Sequence, residues 1–213
     1  MKYKNKNLHV EIPFSEYIWE MEGSLKPEFC DRMIEKFEVD DLTYEGMIGD
    51  SRVDKRIKST LDLQITDHPK WKEEDETLFN ALSYGLNEYY SHVLKISKNY
   101  IDLRYMIDRY TCNDTGYQIQ RYEPGGYYEW HQDFRVAPHY GSRQITYIWY
   151  LNTIKDGTGY TEFCDGTRVQ PKKGKLVCFP SSWQYLHRAY PSKKKRKYIC
   201  TGWLHANTST EES

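Results

Sequence analysis

The sequence predicts an α+β fold that is mainly β: a double-stranded β-helix, or jelly roll, supported by N-terminal helices. Three observations carry this. Helical periodicity is confined to the first hundred residues. From about residue 117 the chain turns to short runs rich in β-branched and aromatic residues. Turn signals at Pro124-Gly125-Gly126, Asp156-Gly157, Asp165-Gly166 and Lys173-Gly174 separate those runs. Helices first and many short strands afterwards favour a sandwich with helical support.

Residues 25–38 predict a helix: Pro27 suits a first helical position, and Phe29, Cys30, Met33, Ile34 and Phe37 fall on one face. Residues 69–95 predict a longer one, with Leu78, Leu82, Leu86, Tyr89, Tyr90 and Val93 as its apolar stripe. Between them, residues 43–67 mix glycine, aspartate and basic residues, which suggests a mobile loop, a candidate lid, followed by a strand. Strands are expected over 119–122 (IQRY), 145–151 (ITYIWYL), 175–179 (KLVCF) and 198–204 (YICTGWL). About eight strands are expected in all.

One domain over residues 1–213 is expected, with helical support over 1–100, the jelly-roll core over 117–205 and a solvated tail over 206–213. Lys+Arg is 30 and Asp+Glu is 31. That balance supplies no global field for nucleic acid or an anionic membrane. The five cysteines are odd in number and include no CxxC pair. They suggest a reducing compartment, with Cys164 and Cys178 as inert core thiols. The polar N-terminus (MKYKNKNLHVEIPF) reads as neither signal peptide nor anchor, and no long apolar run is present, so a cytoplasmic location is expected. The oligomeric state is not legible.

His131-Gln132-Asp133, His187 and Lys197 fit one chemistry. His131 and Asp133 are i and i+2, so on a strand they would share a face. His187 lies far enough along to come from a facing strand. Two imidazoles and one carboxylate leave part of a metal's coordination sphere open, as in non-haem Fe(II) oxygenases, although a catalytic zinc has the same donor set. What points to iron is Lys197, ten residues after His187: a buried ammonium there could anchor the far carboxylate of a dicarboxylic co-substrate.

The second half of the chain resembles the prolyl 4-hydroxylases within the 2-oxoglutarate/Fe(II) dioxygenases. Residues 121–134 (RYEPGGYYEWHQDF), 143–152 (RQITYIWYLN), 159–163 (GYTEF), 170–180 (QPKKGKLVCFP) and 187–205 (HRAYPSKKKRKYICTGWLH) occur in that family's order. The first hundred residues resemble it only loosely, in the two helices and around 56–61 (RIKSTL).

The resemblance implies that His131, Asp133 and His187 ligate Fe(II). It implies that Lys197 and Thr161 hold the distal carboxylate of 2-oxoglutarate, that Tyr122 lies near its iron-bound end, and that Tyr150 also touches it. Tyr128, Arg143, Trp203 and His205 fall where peptide-binding residues lie. The implied reaction is hydroxylation of a peptidyl proline with O2, coupled to decarboxylation of 2-oxoglutarate, with ascorbate as reductant. The usual Gly-Gly before the threonine is here Thr158-Gly159, and Arg196 stands beside Lys197 as a rival anchor, though alternation lets only one face inward. Other expectations stay open: an oxygenase acting on another peptidyl side chain or a free amino acid, and a silent jelly roll that binds peptide or glycan. The run 193–197 (KKKRK) is read as a solvated hairpin rather than a nucleic-acid patch.

Overall fold

The computed structural model describes residues 12–49, 51–97, 112–137 and 141–206. The predicted tail from residue 207 onward, and the N-terminal stretch up to residue 11, lie outside the described residues.

Two helices form where the apolar stripes predict them. Helix α1 runs Pro27–Glu38, with the proline at its first turn and Phe29, Cys30, Met33 and Phe37 buried. A 3-10 turn at Pro69–Trp71 leads into helix α2, Lys72–Ile96, which buries Leu78, Leu82, Gly85, Tyr89 and Val93. Gly85 lets α2 approach the sheet closely, because a Cβ there would lie 2.3 Å from Leu176 Cδ2.

Thirteen strands are present among the described residues. They are β1 Trp19–Met21, β2 Tyr44–Glu45, β3 Leu61–Gln64, β4 Cys112–Asp114, β5 Gln118–Tyr122, β6 Tyr128–His131 and β7 Val136–Ala137. They continue with β8 Gly141–Tyr150, β9 Thr161–Phe163, β10 Arg168–Val169, β11 Lys175–Pro180, β12 His187–Ala189 and β13 Lys197–Ala206. A major sheet is ordered β1-β11-β8-β13-β5-β3-β2, with β4 on β13 and β7 on β8; a minor sheet is ordered β10-β9-β12-β6. This exceeds the expected eight because the N-terminal half contributes strands as well as helices: β1 pairs with β11, and β3 with β5. The segment 43–67 therefore supplies β2 and β3, and a bridge from Lys58 to Tyr128 ties it to β6.

Both faces of the central strands are buried, which explains why they read as unbroken apolar runs rather than alternating ones. On β8, Tyr147 and Trp149 pack with the helices while Ile148 and Tyr150 face the minor sheet. The same alternation puts Leu176 and Cys178 outward and Val177 and Phe179 inward on β11, and Cys200 outward and Ile199 inward on β13. The inward parity of β5, β8 and β13 sets the positions that line the interior.

Candidate active site

His131 ends β6 and His187 begins β12, and the two are direct register partners with ring centroids 4.2 Å apart. His187 thus comes from the neighbouring strand of the minor sheet, not from across the sandwich. Each ring is oriented through Nδ1: His131 lies 2.7 Å from the Glu129 carbonyl and His187 3.0 Å from the Tyr185 carbonyl. A carbonyl only accepts, so both Nδ1 atoms carry the proton and both Nε2 lone pairs are free. Those Nε2 atoms point at one carboxylate, with His131 Nε2 3.9 Å from Asp133 Oδ1 and His187 Nε2 3.7 Å from Asp133 Oδ2.

Asp133 corrects the strand argument. The strand stops at His131, so Asp133 sits two residues beyond it in a loop, and pleat alternation does not aim it. Thr146 on β8 aims it instead, donating from Oγ1 to Asp133 Oδ2 at 2.8 Å, with Ser181 Oγ 2.9 Å behind Thr146. One ligand atom from each of His131, Asp133 and His187 lies within 4.8 Å of the others. Burial, then the adjacent His187, pushes the His131 pKa down to about 3. Burial would raise the Asp133 carboxyl, but His187, His131 and the Thr146 hydroxyl together hold it below the usual carboxylate range. A neutral imidazole beside an ionised carboxylate is the protonation state that a divalent metal requires.

These side chains floor a cavity of about 660 Å³. Lys197, on β13 of the major sheet, lines it too, is 1% exposed, donates to the Gly159 carbonyl at 3.0 Å and lies 4.3 Å from the Tyr122 ring centre. No carboxylate pairs with it among the described residues, and burial lowers its pKa to about 7. Arg196 faces the other way, to Glu123 and Glu38 outside. Thr161 lines the cavity, and its Oγ1 is 2.6 Å from the hydroxyl of Tyr150, which stands behind the wall. Tyr122 lines it too and donates to Gln120 Oε1 at 2.9 Å; Gln120 donates to Gln118, and Gln118 to Tyr44 on β2.

At the mouth, Tyr128 stacks on His131 at 3.6 Å, and Arg143 lies 3.6 Å over the Trp203 ring. His205, the register partner of Arg143, is buried and does not line the cavity. Two wall features escaped the sequence reading. One is Thr146. The other is an ion pair between Lys58 and Asp62 at 2.6 Å, with both side chains almost fully buried. One core expectation also fails: Cys164 is exposed, at a turn just past β9, while Cys178 is buried. No described helix is long and apolar enough to cross a membrane.

Residues 117–205 match the family described as the 2OG-Fe(II) oxygenase superfamily. A search of curated proteins finds no match. Among solved structures, the chain is similar to a viral collagen prolyl hydroxylase from Paramecium bursaria Chlorella virus-1 in complex with 2OG, at 23% identity and TM-score 0.60 over 89% of this chain and 96% of that one. A Pseudomonas putida prolyl-4-hydroxylase gives 16% identity and TM-score 0.64 over 89% and 92%. A Trichoplax adhaerens prolyl hydroxylase, in complex with a hypoxia inducible factor peptide fragment, gives 16% and 0.67 over 90% and 84%. At these identities the likeness speaks to the fold.

Proposed function

We propose that this chain, whose residues 117–205 match the 2OG-Fe(II) oxygenase superfamily, hydroxylates prolyl residues in peptides, at C4 by likeness to the neighbours. The observation that carries the reading is one cavity lined both by a two-histidine, one-carboxylate cluster and by the Lys197 ammonium, with which no described carboxylate pairs. A buried cation without an anion is costly, and a dicarboxylate reaching from the metal would supply the anion. Tyr128, Arg143 and Trp203, which line the cavity together with the exposed Phe134 and Arg135, suit a peptide better than a free amino acid.

His131, Asp133 and His187 would hold Fe(II), leaving positions for 2-oxoglutarate and O2. When bound, that set supplies oxidative decarboxylation to succinate and CO2 coupled to hydroxylation of a C–H bond, with ascorbate as reductant. Lys197 and Thr161 hold the distal carboxylate, and Tyr150 fixes the Thr161 hydroxyl. The Tyr122 ring covers Lys197. Ile148 and Ile199 on the walls exclude water. Tyr128, Arg143 and Trp203 orient the peptide, and His205 backs Arg143 from within the wall. The free thiols of Cys30, Cys164, Cys178 and Cys200 suit the cytoplasmic setting of this reading.

The test is succinate release from 2-oxoglutarate with Fe(II) and ascorbate, with and without proline-rich peptides, and mass analysis of the peptide. Peptide-stimulated succinate with a +16 Da proline product supports the reading. Succinate that ignores every peptide leaves the oxygenase and overturns the peptidyl substrate.

A further inference from the structure

Among the described residues, the charges that line the cavity do not balance: Lys58, Lys197, Arg135 and Arg143 stand against one carboxylate, Asp133. Two of the four are accounted for. Lys58 is neutralised by Asp62 at 2.6 Å. On the reading above, Lys197 and a divalent metal are offset together by the dianionic co-substrate and Asp133. Arg135 and Arg143 are left.

These two guanidiniums stand on the same side of the mouth. Arg143 donates its backbone N–H to the Arg135 carbonyl at 2.9 Å, so adjacent strand ends bring the like charges together. Neither has a salt bridge among the described residues. The Arg143 side chain is pinned flat on Trp203 at 3.6 Å, and one Nη reaches the Asp133 carbonyl only at 3.4 Å. Its Nε is buried and has no hydrogen-bond partner among the described residues. A planar guanidinium locked by stacking, with an unmet donor and a second guanidinium beside it, presents the fork geometry that carboxylates fill. A neutral peptide carbonyl would satisfy the donor but not the paired charge.

We infer that Arg135 and Arg143 form an anion seat at the cavity mouth that reads a carboxylate side chain flanking the target proline, so that acidic peptides are preferred. This deepens the prolyl-peptide reading and rests on it for the nature of the substrate.

The test is binding, which needs no turnover. Protein loaded with Mn(II) and 2-oxoglutarate under nitrogen is titrated with single-proline peptides that carry Glu, Gln or Lys on either side of the proline. A flanking Glu on one side is expected to tighten binding about tenfold over Gln, between the small gain of an exposed pair and the large effect of a buried one, and Lys should weaken it. Salt should erode the difference. Arg135→Gln, at the exposed lip, should remove most of the Glu preference while leaving the Gln peptide's affinity unchanged, and Arg135→Glu should turn the preference toward Lys. Equal affinity for Glu and Gln peptides on both sides, within twofold, would overturn the seat. Competition by free glutamate as strong as by the acidic peptide would overturn its assignment to a peptide. If proline-free acidic peptides bind with the same Arg135-dependent preference and no proline is hydroxylated, the seat stands and the prolyl reading falls.

Discussion

Thr146 donates a 2.8 Å hydrogen bond to Asp133 Oδ2 from across the barrel, and this bond orients a carboxylate that its own strand does not reach. Because the single Thr146 proton is committed to Asp133, Ser181 donates to Thr146 at 2.9 Å. Thr146→Val keeps the shape and removes both bonds. Loss of such a partner lowers metal affinity about 10- to 100-fold. Titration with Mn(II), followed by the fall in its solution EPR signal, should show that loss with little change in fold. Unchanged affinity would reduce Thr146 to packing.

Lys197 yields a prediction with a sign. Its pKa falls from 10.5 unfolded to about 7 in the fold, because burial disfavours the charge. Between those values the unfolded chain holds the extra proton, so without co-substrate the stability should rise as pH climbs from about 7 to about 10, and the charge should be a constant cost below that window. Lys197→Met should flatten this dependence and raise Tm at pH 7, while abolishing the Tm increase that 2-oxoglutarate gives the parent protein. Thermal scans across pH, with and without 2-oxoglutarate, read both effects. A variant that 2-oxoglutarate still stabilises equally would remove Lys197 from the co-substrate site.

The Tyr150 hydroxyl touches Thr161 Oγ1 at 2.6 Å but not the cavity. Its part in co-substrate binding is therefore indirect. Tyr150→Phe frees the Thr161 rotor at the cost of that bond, about 1 kcal/mol, and of a long 3.4 Å contact to the Val169 carbonyl. KM for 2-oxoglutarate should rise roughly fivefold with kcat nearly constant. A fall in kcat at constant KM would contradict a positioning role.

What was legible in the sequence follows strand parity. Positions 118, 120 and 122 on β5, and 197, 199, 201 and 203 on β13, share the inward face. Once the strand spans are read, Lys197, Tyr122 and Trp203 therefore fall inward and Arg196 outward. Parity says nothing past a strand end, so the Asp133 geometry and its Thr146 partner were not legible. Nor does it apply where a register shift falls between Leu204 and His205, which leaves His205 in the wall instead of the cavity. The N-terminal strand β1 was also hidden: Trp19–Met21 is short, and it is a strand only because the edge of the major sheet pairs with it, whereas β3 is the strand expected at the end of 43–67.

The Lys58–Asp62 pair was invisible for a related reason. A lysine and an aspartate four apart outside a helix have no fixed spatial relation, and here the turn into β3 brings them together at 2.6 Å with side chains 3% and 1% exposed. Burial raises the Asp62 carboxyl against the pull of Lys58, so the pair is held by mutual neutralisation and not by solvent. Lys58→Met should leave an uncompensated buried carboxylate and destabilise by about 3–5 kcal/mol. Acid should relieve much of this loss, because protonating Asp62 removes the unpaired charge. The double variant Lys58→Met, Asp62→Leu should recover most of the stability, since an apolar pair of similar size often replaces a buried ion pair at little net cost. Urea unfolding at pH 7 and pH 5 measures all three chains. If the double variant were as unstable as the single one, the pair would owe its place to packing around Tyr128, whose ring centre lies 5.3 Å from the Lys58 ammonium, and not to charge.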